Sequence, residues 1–423
     1  MQQNFAERNL RPVRGDHRSK TGWNGFGGLR NARYHSLVIR RFYVHNFRCL
    51  ENFELPIAGQ SSVLLIGKNG SGKTTVGLAL EILRKIGRGT SSVEDLVKPK
   101  DFAFGRSAVP MRFEIEIGID GKTYEYVIAF ELPPGVDDLR VLEERLTVDG
   151  EPRFTRKQAP GDSDAARENG AGLQIDWIGL QLVALPIVQE HSTRDPLFVF
   201  KQALRRMLIL RPVPSSILGG SQRDTLEPNV EVTDYGAWFA GLLAYAPSAY
   251  SKVDAYLRQV IPDLKDVKNP TVGREYRSLE IEFSEGQASL TVPFAELSDG
   301  EKCFLICALV LAANYTYGPI LCFWDEPDNY LAIQEVGDFL MELRRAFQSG
   351  GQFIATSHNP EAIRQFSDEN TLYLRRKSHL EPTQLRPLSE LQIKGDKIRR
   401  WFAAMWSHER QSVPGSRSGA PGG

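Results

Sequence analysis

The sequence has few cysteines, no long apolar run and no excess of either charge, and each shortage excludes a class of protein. Four cysteines in 423 residues are too few for a disulfide framework, and no cluster of Cys and His indicates a zinc site. No apolar stretch approaches the ~20 residues of a membrane-spanning helix. The Arg- and Gly-rich N-terminus also lacks the apolar core of a signal peptide. We therefore expect a cytoplasmic protein with buried, reduced thiols and no membrane contact.

The charges balance, with 52 basic and 52 acidic residues. This balance excludes a uniformly basic coat protein for nucleic acid and an acidic disordered chain. It conceals local excesses, however, because residues 1–35 carry seven basic and two acidic residues, and residues 375–410 carry nine and four. Any contact with nucleic acid is therefore expected to be local and dependent on salt.

An apolar strand, a glycine-rich loop and an apolar-periodic helix follow one another near the N-terminus. SVLLI (62–66) runs into GKNGSGKT (67–74), which matches G-x-x-x-x-G-K-[ST] in full. In such a loop, backbone N–H groups surround phosphate oxygens, the lysine adds a positive charge and the last hydroxyl can ligate Mg²⁺. The sequence therefore predicts a site for ATP and Mg²⁺. The expected contacts are Gly67, Asn69, Gly70, Gly72, Lys73, Thr74 and Thr75.

Two acidic residues follow a second apolar strand, ILCFW at 320–324. A run this apolar is typical of a central parallel strand, whose carboxyl end faces ligands in open α/β sheets. Asp325 is therefore the candidate ligand for Mg²⁺, and Glu326 is the candidate to position and deprotonate water. A third buried strand, QFIATS (352–357), ends at His358, which we expect to contact the γ-phosphate. The alternatives are a solvated strand end for the acids and a structural histidine.

The segment LSDGEK (297–302) directly precedes an apolar helix. Ser298 stands at an N-cap position, where its hydroxyl and the neighbouring N–H groups can bind an anion. Taken alone, this pattern predicts only a helix cap. Because it precedes the acidic pair by fewer than thirty residues, we assign Ser298, Gly300 and Glu301 to nucleotide binding.

The order of these motifs resembles that of the ABC-type ATPases. LSDGEK resembles their signature motif, DEP the end of their Walker B motif and His358 their switch histidine. VHNFRCLENFEL, Asn69 and the block DEPDNYL…TSHNPEAI resemble the SMC, RecF and OLD branch, in particular free-standing AAA-family ATPases of DNA repair and anti-phage defence.

This resemblance implies a P-loop NTPase head of α/β class, with a mixed or parallel sheet flanked by helices. Two heads would enclose two ATP–Mg²⁺, with Ser298 and Gly300 of one contacting the phosphate held by Lys73 of the other. It also implies that Arg48 contacts phosphate and that a glutamine senses the metal. Gln189 is our assignment for that glutamine, with Gln181 and Gln158 as alternatives.

Changes in pattern divide the chain into segments. Period-two alternation with turns at Asp120-Gly121 and Asp149-Gly150 predicts an inserted antiparallel subdomain, and mainly helical patterns follow it. The predicted segments are a flexible basic tail (1–35), the first part of the head (36–110), the antiparallel insert (111–156), a linker and helical lobe (157–285), the second part of the head (286–375), a basic segment (376–410) and a disordered tail (411–423).

Spacing selects among ATPases. Ser298 follows Lys73 by 225 positions with no heptads between them, and the 65 residues after His358 leave no room for an appended nuclease domain. We therefore expect a free-standing ATPase head, acting as a homodimer with DNA or with a separate effector or nuclease subunit. One alternative is an ATP-sensing switch that restrains an effector and hydrolyses slowly. Another, less favoured, is the nucleotide-binding subunit of a membrane transporter.

Two basic segments are candidates for contact with DNA. The segment 201–223 holds five basic residues and no acidic residue. Helical spacing favours a shared face, and the predicted contacts are Lys201, Arg205, Arg206 and Arg211. The alternative is an ordinary solvated helix face. A second cluster combines Arg399 and Arg400 with Trp401, Phe402 and Trp406, and could equally dock on the head or on a partner.

Overall fold

The computed structural model describes residues 35–157, 173–174 and 178–391. The predicted terminal tails, Gln158 and the aromatic cluster at 399–406 lie outside these ranges.

In chain order, the strands are β1 (Leu37–His45), β2 (Phe53–Leu55), β3 (Ser62–Ile66), β4 (Met111–Ile119), β5 (Lys122–Glu131), β6 (Arg140–Val148), β7 (Glu151–Lys157), β8 (Leu173–Gln174), β9 (Leu208–Leu210), β10 (Gly220–Ser221), β11 (Leu264–Lys268), β12 (Thr271–Val272), β13 (Tyr276–Ser278), β14 (Glu280–Glu285), β15 (Ala288–Pro293), β16 (Leu321–Trp324), β17 (Gln352–Ser357), β18 (Thr371–Arg375) and β19 (Gln384–Pro387). The helices are α1 (Lys73–Gly87), α2 (Val93–Leu96), α3 (Pro196–Arg205), α4 (Tyr235–Tyr245), α5 (Ala249–Val260), α6 (Asp299–Thr316), α7 (Ile333–Gln348) and α8 (Pro360–Arg364).

A six-stranded sheet in the order β19-β18-β3-β17-β16-β9 forms the centre of the molecule. Its strands are parallel except β19, which runs antiparallel to β18. Alternate residues of the central strands enter two different hydrophobic cores, so that Val63 and Phe323 pack on one side and Leu64 and Trp324 on the other. The sheet is therefore buried on both faces, as the unbroken apolar runs of β3 and β16 predict.

A seven-stranded sheet, β2-β1-β4-β5-β6-β7-β8, packs with α1 on the first face of the central sheet. Both predicted hairpins are confirmed, since β4 pairs with β5 and β6 with β7. At each turn the Asp-Gly pair has positive φ at both residues, which is the backbone of a type I′ turn. The sheet also includes β1, which pairs with β4 from Leu37↔Ile119 to His45↔Arg112. The antiparallel strands thus continue the N-terminal part of the head.

Helices α4 to α7 pack on the other face of the central sheet. Two small sheets have the strand orders β10-β13-β12 and β11-β14-β15; β10 precedes α4 in the chain, and β11 to β15 lie between α5 and α6. In the described ranges, no helix combines the length and the hydropathy needed to cross a bilayer. All four cysteines are buried and free, as the sequence predicts, and burial raises the pKa of Cys303 to about 12.

Candidate functional site

The phosphate loop links β3 to α1 and is tightly enclosed. Gly72 has φ +104°, and a Cβ there would lie 2.7 Å from Thr383 Oγ1 and 3.0 Å from Cys49 Sγ. A Cβ on Gly67 would lie 2.4 Å from the Leu374 carbonyl oxygen. Because neither position can accept a side chain, the backbone is kept in a compact curl at the carboxyl end of β3. This is the geometry in which N–H groups converge on phosphate.

Lys73, the first residue of α1, is the cation of this loop. Its side chain is only 5% exposed, and Nζ donates hydrogen bonds to the carbonyl oxygens of Gly67 (2.9 Å) and Lys68 (3.5 Å). Glu326 Oε1 lies 3.9 Å from Nζ. Burial lowers the pKa of Lys73, and the charges of Glu326 and Asp325 oppose that shift. The lysine is thus held inside the loop at the point where a phosphate would lie.

The acidic pair leaves β16 and is fixed by β17. Thr356 Oγ1 donates to Asp325 Oδ1 (2.6 Å) and accepts from the Glu326 backbone N–H (2.9 Å). Glu326 has φ +52°, a left-handed conformation that costs an L-residue about 1–3 kcal/mol and that clusters at functional sites. One threonine hydroxyl therefore orients both acids. The sequence analysis missed Thr356, whose only signal is its place two residues before His358.

Glu326 joins the phosphate loop to His358. His358 Nδ1 lies 3.5 Å from Glu326 Oε1, and Asn329 Nδ2 donates to Glu326 Oε2 (2.6 Å). The hydrogen bond from His358, followed by those of Asn329 and the charge of Lys73, lowers the pKa of Glu326 to about 2. The same interaction raises the pKa of His358. Residues from three separate parts of the chain thus share one electrostatic cluster.

Thr74 and Asp325 suit Mg²⁺ in chemistry and position. Both line one small cleft between α1 and strands β9 and β16. Among the described residues, no group of three or more His, Cys, Asp or Glu could hold a metal ion. A hydroxyl and a carboxylate with substrate oxygens and water completing the shell are typical of Mg²⁺ sites. The residues therefore fit the ion that the sequence predicts.

The signature segment caps α6. The Ser298 N–H donates to Glu301 Oε2 (2.8 Å), and the Glu301 N–H donates to Ser298 Oγ (3.2 Å), which is a capping box. Ser298 is exposed, and Gly300 lies close to the Tyr330 carbonyl oxygen, 3.1 Å from where a Cβ would be. The predicted N-cap is confirmed. The nucleotide contacts of Ser298, Gly300 and Glu301 stay a prediction.

Two further predicted contacts have other local partners. Arg48 pairs with Asp101 (Nη2–Oδ1, 3.0 Å), although its neighbour Cys49 is in contact with Gly72 and Thr75. Gln189 is exposed in the segment before α3, and Gln181 accepts a backbone hydrogen bond from Val93. The roles of Arg48 in phosphate contact and of Gln189 in metal sensing therefore stay predictions. Asn69, Gly70 and Thr75 lie in or beside the phosphate loop, as expected.

The sequence analysis missed the loop 376–383, which lies against the phosphate loop. Thr383 Oγ1 donates to the Ser71 carbonyl oxygen (2.8 Å), and the Thr383 N–H donates to that of Cys49 (2.8 Å). His379 Nε2 lies 3.7 Å from where a Cβ on Gly70 would be. This loop was assigned to a separate basic segment, because nothing in the local sequence shows that β18 and β19 continue the central sheet.

Three of the four predicted DNA contacts are wrong in this structure. Lys201 is buried and bonds to Glu190 (2.7 Å) and to the Val188 carbonyl oxygen. Arg206 is buried and donates to the Tyr317 carbonyl oxygen (3.2 Å), and Arg205 pairs with Glu227. Because these cations already have partners, they are not available to follow a phosphate backbone. Arg211 is exposed at the end of β9.

Comparison with known proteins identifies the family and the fold. The family model described as "AAA domain, putative AbiEii toxin, Type IV TA system" matches residues 62–364. An OLD nuclease of Thermus scotoductus is 29% identical over 114 residues, which are 27% of this chain and 18% of that protein. The chain therefore matches less than a fifth of the length of this curated relative.

Two solved SMC heads share the fold, each with a TM-score of 0.50. One is an SMC head bound to the C-winged helix domain of ScpA, 14% identical, with 84% of this chain and 99% of that chain covered. The other is the Pyrococcus furiosus SMC head with an extended coiled coil, bound to the C-terminal domain of ScpA, 12% identical, with 89% and 100% covered. Because the family model matches most of the sequence, the chain belongs to the family "AAA domain, putative AbiEii toxin, Type IV TA system", and it has the P-loop ATPase fold that the SMC heads share.

Proposed function

We propose that the chain binds and hydrolyses ATP with Mg²⁺ and that two heads close around two nucleotides. The observation that supports this is the convergence of Lys73, Glu326 and His358, from three separate segments, beside a cleft lined by Thr74 and Asp325. In-line transfer of a phosphoryl group to water needs positioning and charge stabilisation more than covalent chemistry. These residues provide both.

Each side chain has a distinct task in this proposal. Lys73 neutralises charge on the terminal phosphate, and Mg²⁺, when bound by Thr74 and Asp325, would stabilise the leaving phosphate oxygens. Glu326 accepts a hydrogen bond from the attacking water and orients it. With a pKa of about 2, Glu326 is ionised at neutral pH but is a weak base. His358 lies on the same side and donates a hydrogen bond to the phosphate.

The weak basicity of Glu326 also favours a second function, that of a switch with slow hydrolysis. In such a protein, ATP binding closes the dimer and restrains or releases a partner, and hydrolysis resets it. The two functions share the same site. They differ in the turnover rate and in whether a partner accelerates it.

Dimer closure depends on the signature segment. Ser298 and Gly300 lie at the exposed N-terminus of α6, an 18-residue helix whose positive end attracts anions. We propose that this helix end contacts the nucleotide held by Lys73 of the partner head.

For partners, we propose a separate effector or nuclease subunit, or DNA, in DNA repair or anti-phage defence, as the resemblance of the motifs implies. The names of the relatives support only a nuclease or a protein partner. The OLD relative is called a nuclease, and the SMC heads were solved with parts of ScpA. The four free, buried thiols fit a reducing compartment such as the cytoplasm.

The test uses Glu326→Gln, which removes the negative charge and keeps the size of the side chain. We expect this variant to bind ATP, to lose hydrolysis and to elute as a stable dimer with ATP and Mg²⁺ in light-scattering chromatography. Asp338→Asn, an exposed acid on α7, is the matched control and should behave like the wild type. A Glu326→Gln protein that stays monomeric with ATP would overturn the dimer, and one that hydrolyses ATP normally would overturn the role of Glu326.

A further inference from the structure

We propose that Arg211 contacts the terminal phosphate of ATP, which makes it a catalytic residue of the nucleotide site and not a contact to DNA. This inference rests on the proposed function. The sequence placed Arg211 among the DNA contacts because it follows Lys201, Arg205 and Arg206 in one basic run. The fold separates it from the other three.

The pairing of β9 and β16 fixes the position of Arg211. The two strands are parallel, with Trp324 opposite Leu210, and the Asp325 N–H donates to the Leu210 carbonyl oxygen (2.8 Å). Arg211 and Asp325 therefore leave neighbouring strands at the same carboxyl edge. In open α/β sheets this edge is where ligands bind.

A cleft joins Arg211 to the residues that suit Mg²⁺. Its lining includes Thr74 and Gly77 from α1, Asp325 after β16, and Arg211 after β9. Thr74 directly follows Lys73, so the cleft opens beside the phosphate loop. Arg211 therefore shares this cleft with Thr74 and Asp325, the two residues that suit Mg²⁺.

The main chain of Arg211 is anchored, and its guanidinium is available. The Arg211 N–H donates to the Val230 carbonyl oxygen (2.7 Å), and proline follows in the sequence. Within the described ranges, no hydrogen bond or ion pair engages the guanidinium, whereas Arg205 and Arg206 both have partners. An exposed guanidinium on a fixed backbone is suited to bidentate binding of phosphate oxygens.

The contact would also connect the nucleotide to the second half of the head. Arg211 is the first residue after β9, where the chain leaves the central sheet for α4, α5 and the small sheets. The chain rejoins the central sheet at β16. A phosphate that binds Arg211 would therefore fix the start of the segment that leaves the central sheet. Only a nucleotide with a terminal phosphate in reach provides that link.

The experiment compares Arg211→Ala with Arg223→Ala, an exposed arginine of the same basic segment. Calorimetry with Mg²⁺ and no DNA measures the affinities of the full chain for the slowly hydrolysed analogue ATPγS and for ADP. We expect Arg211→Ala to bind ATPγS about 10–100-fold more weakly, the range for loss of a charged hydrogen bond, and ADP less than about 3-fold more weakly. Arg223→Ala should bind both like the wild type. Arg211→Lys keeps the charge without the bidentate fork and should recover part of the loss.

The outcomes separate this inference from the proposed function. If the wild type and Arg211→Ala bind ATPγS equally well, only the inference about Arg211 is overturned. A selective loss of DNA affinity in Arg211→Ala would then support the original assignment of Arg211 as a DNA contact. An equal loss for ATPγS and ADP would also overturn the inference. If the wild type binds no nucleotide, the proposed function fails as well. Thermal unfolding of each variant checks that the fold is retained, and Arg211→Lys supplies the same test should the alanine variant not fold.

Discussion

Two lysines on helices that pack together, Lys73 at the start of α1 and Lys201 in α3, are buried to nearly the same extent. Their exposed fractions are 5% and 7%. Burial of a charge is costly unless partners compensate, so each position requires an explanation. The two explanations differ: one lysine is suited to binding a ligand, and the other is paired within the fold.

The partners decide the difference. Lys201 is neutralised within the fold, because Glu190 lies 2.7 Å from its Nζ and the Val188 carbonyl oxygen accepts a hydrogen bond. Lys73 has loop carbonyls as its close partners, and its nearest carboxylate, Glu326, is 3.9 Å away and shared with His358. A buried cation without a dedicated counterion is suited to a ligand anion, whereas a fully paired one stabilises the fold.

The largest expected effect comes from substituting each lysine by methionine, which keeps the apolar stem and removes the charge. Lys73→Met should lower ATP turnover about 10²–10³-fold, the range for loss of one charge-stabilising group. Lys201→Met leaves Glu190 and the Val188 carbonyl oxygen without a donor, and should lower the free energy of unfolding by about 3 kcal/mol. Urea unfolding and steady-state turnover measure the two effects.

The comparison would be broken if the two effects were exchanged. A stable Lys201→Met protein with turnover reduced as strongly as in Lys73→Met would place Lys201 in the site. Turnover per folded molecule should otherwise equal that of the wild type in Lys201→Met.

A smaller effect is expected from Thr383→Val, which tests how the phosphate loop is held. The substitution removes the buried hydrogen bond to the Ser71 carbonyl oxygen and should cost about 1 kcal/mol of unfolding free energy. Because Thr383 lies against Gly72, the affinity for ATP should fall too. Thr371→Val is the matched control, since its hydroxyl donates to the Ser367 carbonyl oxygen outside the loop. Equal ATP affinities in the two variants would show that loop 376–383 does not support the site.

The smallest expected effect is the pH dependence of stability that arises from the ion pair between His358 and Glu326, the carboxylate nearest to Lys73. The folded-state pKa of His358 is raised by Glu326, so the protonated pair stabilises the fold below the ordinary histidine pKa and the contribution is lost as pH rises through the raised value. Since the His358 side chain is 39% exposed, solvent limits the contribution to less than about 1 kcal/mol.

Unfolding of the wild type and of His358→Gln from pH 5 to 8 measures this contribution. The difference in unfolding free energy should be largest at pH 5 and should vanish toward the upper end. In the Glu326→Gln background the difference should be absent at every pH. A difference that grows with rising pH would contradict the assigned pair.

Local patterns determined the parts of the site that lie within one segment. The phosphate loop, the two Asp-Gly hairpins and the Ser298 cap are each specified by neighbouring residues, and the structure has them where the sequence predicts. The acidic pair was also predicted from the sequence. A strand buried on both faces is an unbroken apolar run, so the residue at which it ends can be recognised. These features depend on turn chemistry and periodicity, which act over a few residues.

Features that depend on strand pairing were missed. β9 has three residues, too few for a periodic signal, yet its parallel pairing with β16 brings Arg211 beside Asp325. Helical spacing placed Lys201 and Arg206 on a shared surface, but it does not reveal which face of α3 is covered. Loop 376–383 contacts the phosphate loop only because β18 joins β3 in the sheet.

The sequence by itself therefore determined the phosphate-loop motif between β3 and α1 and the acidic pair that follows β16 in the same sheet. Only the tertiary structure decided which cations remain available to a ligand. The reason is physical, since a motif is a local arrangement of backbone and side chain, whereas the pairing and burial of a charge depend on residues far along the chain. Lys201 meets Glu190 and Arg205 meets Glu227 because the sheet and helices bring them together.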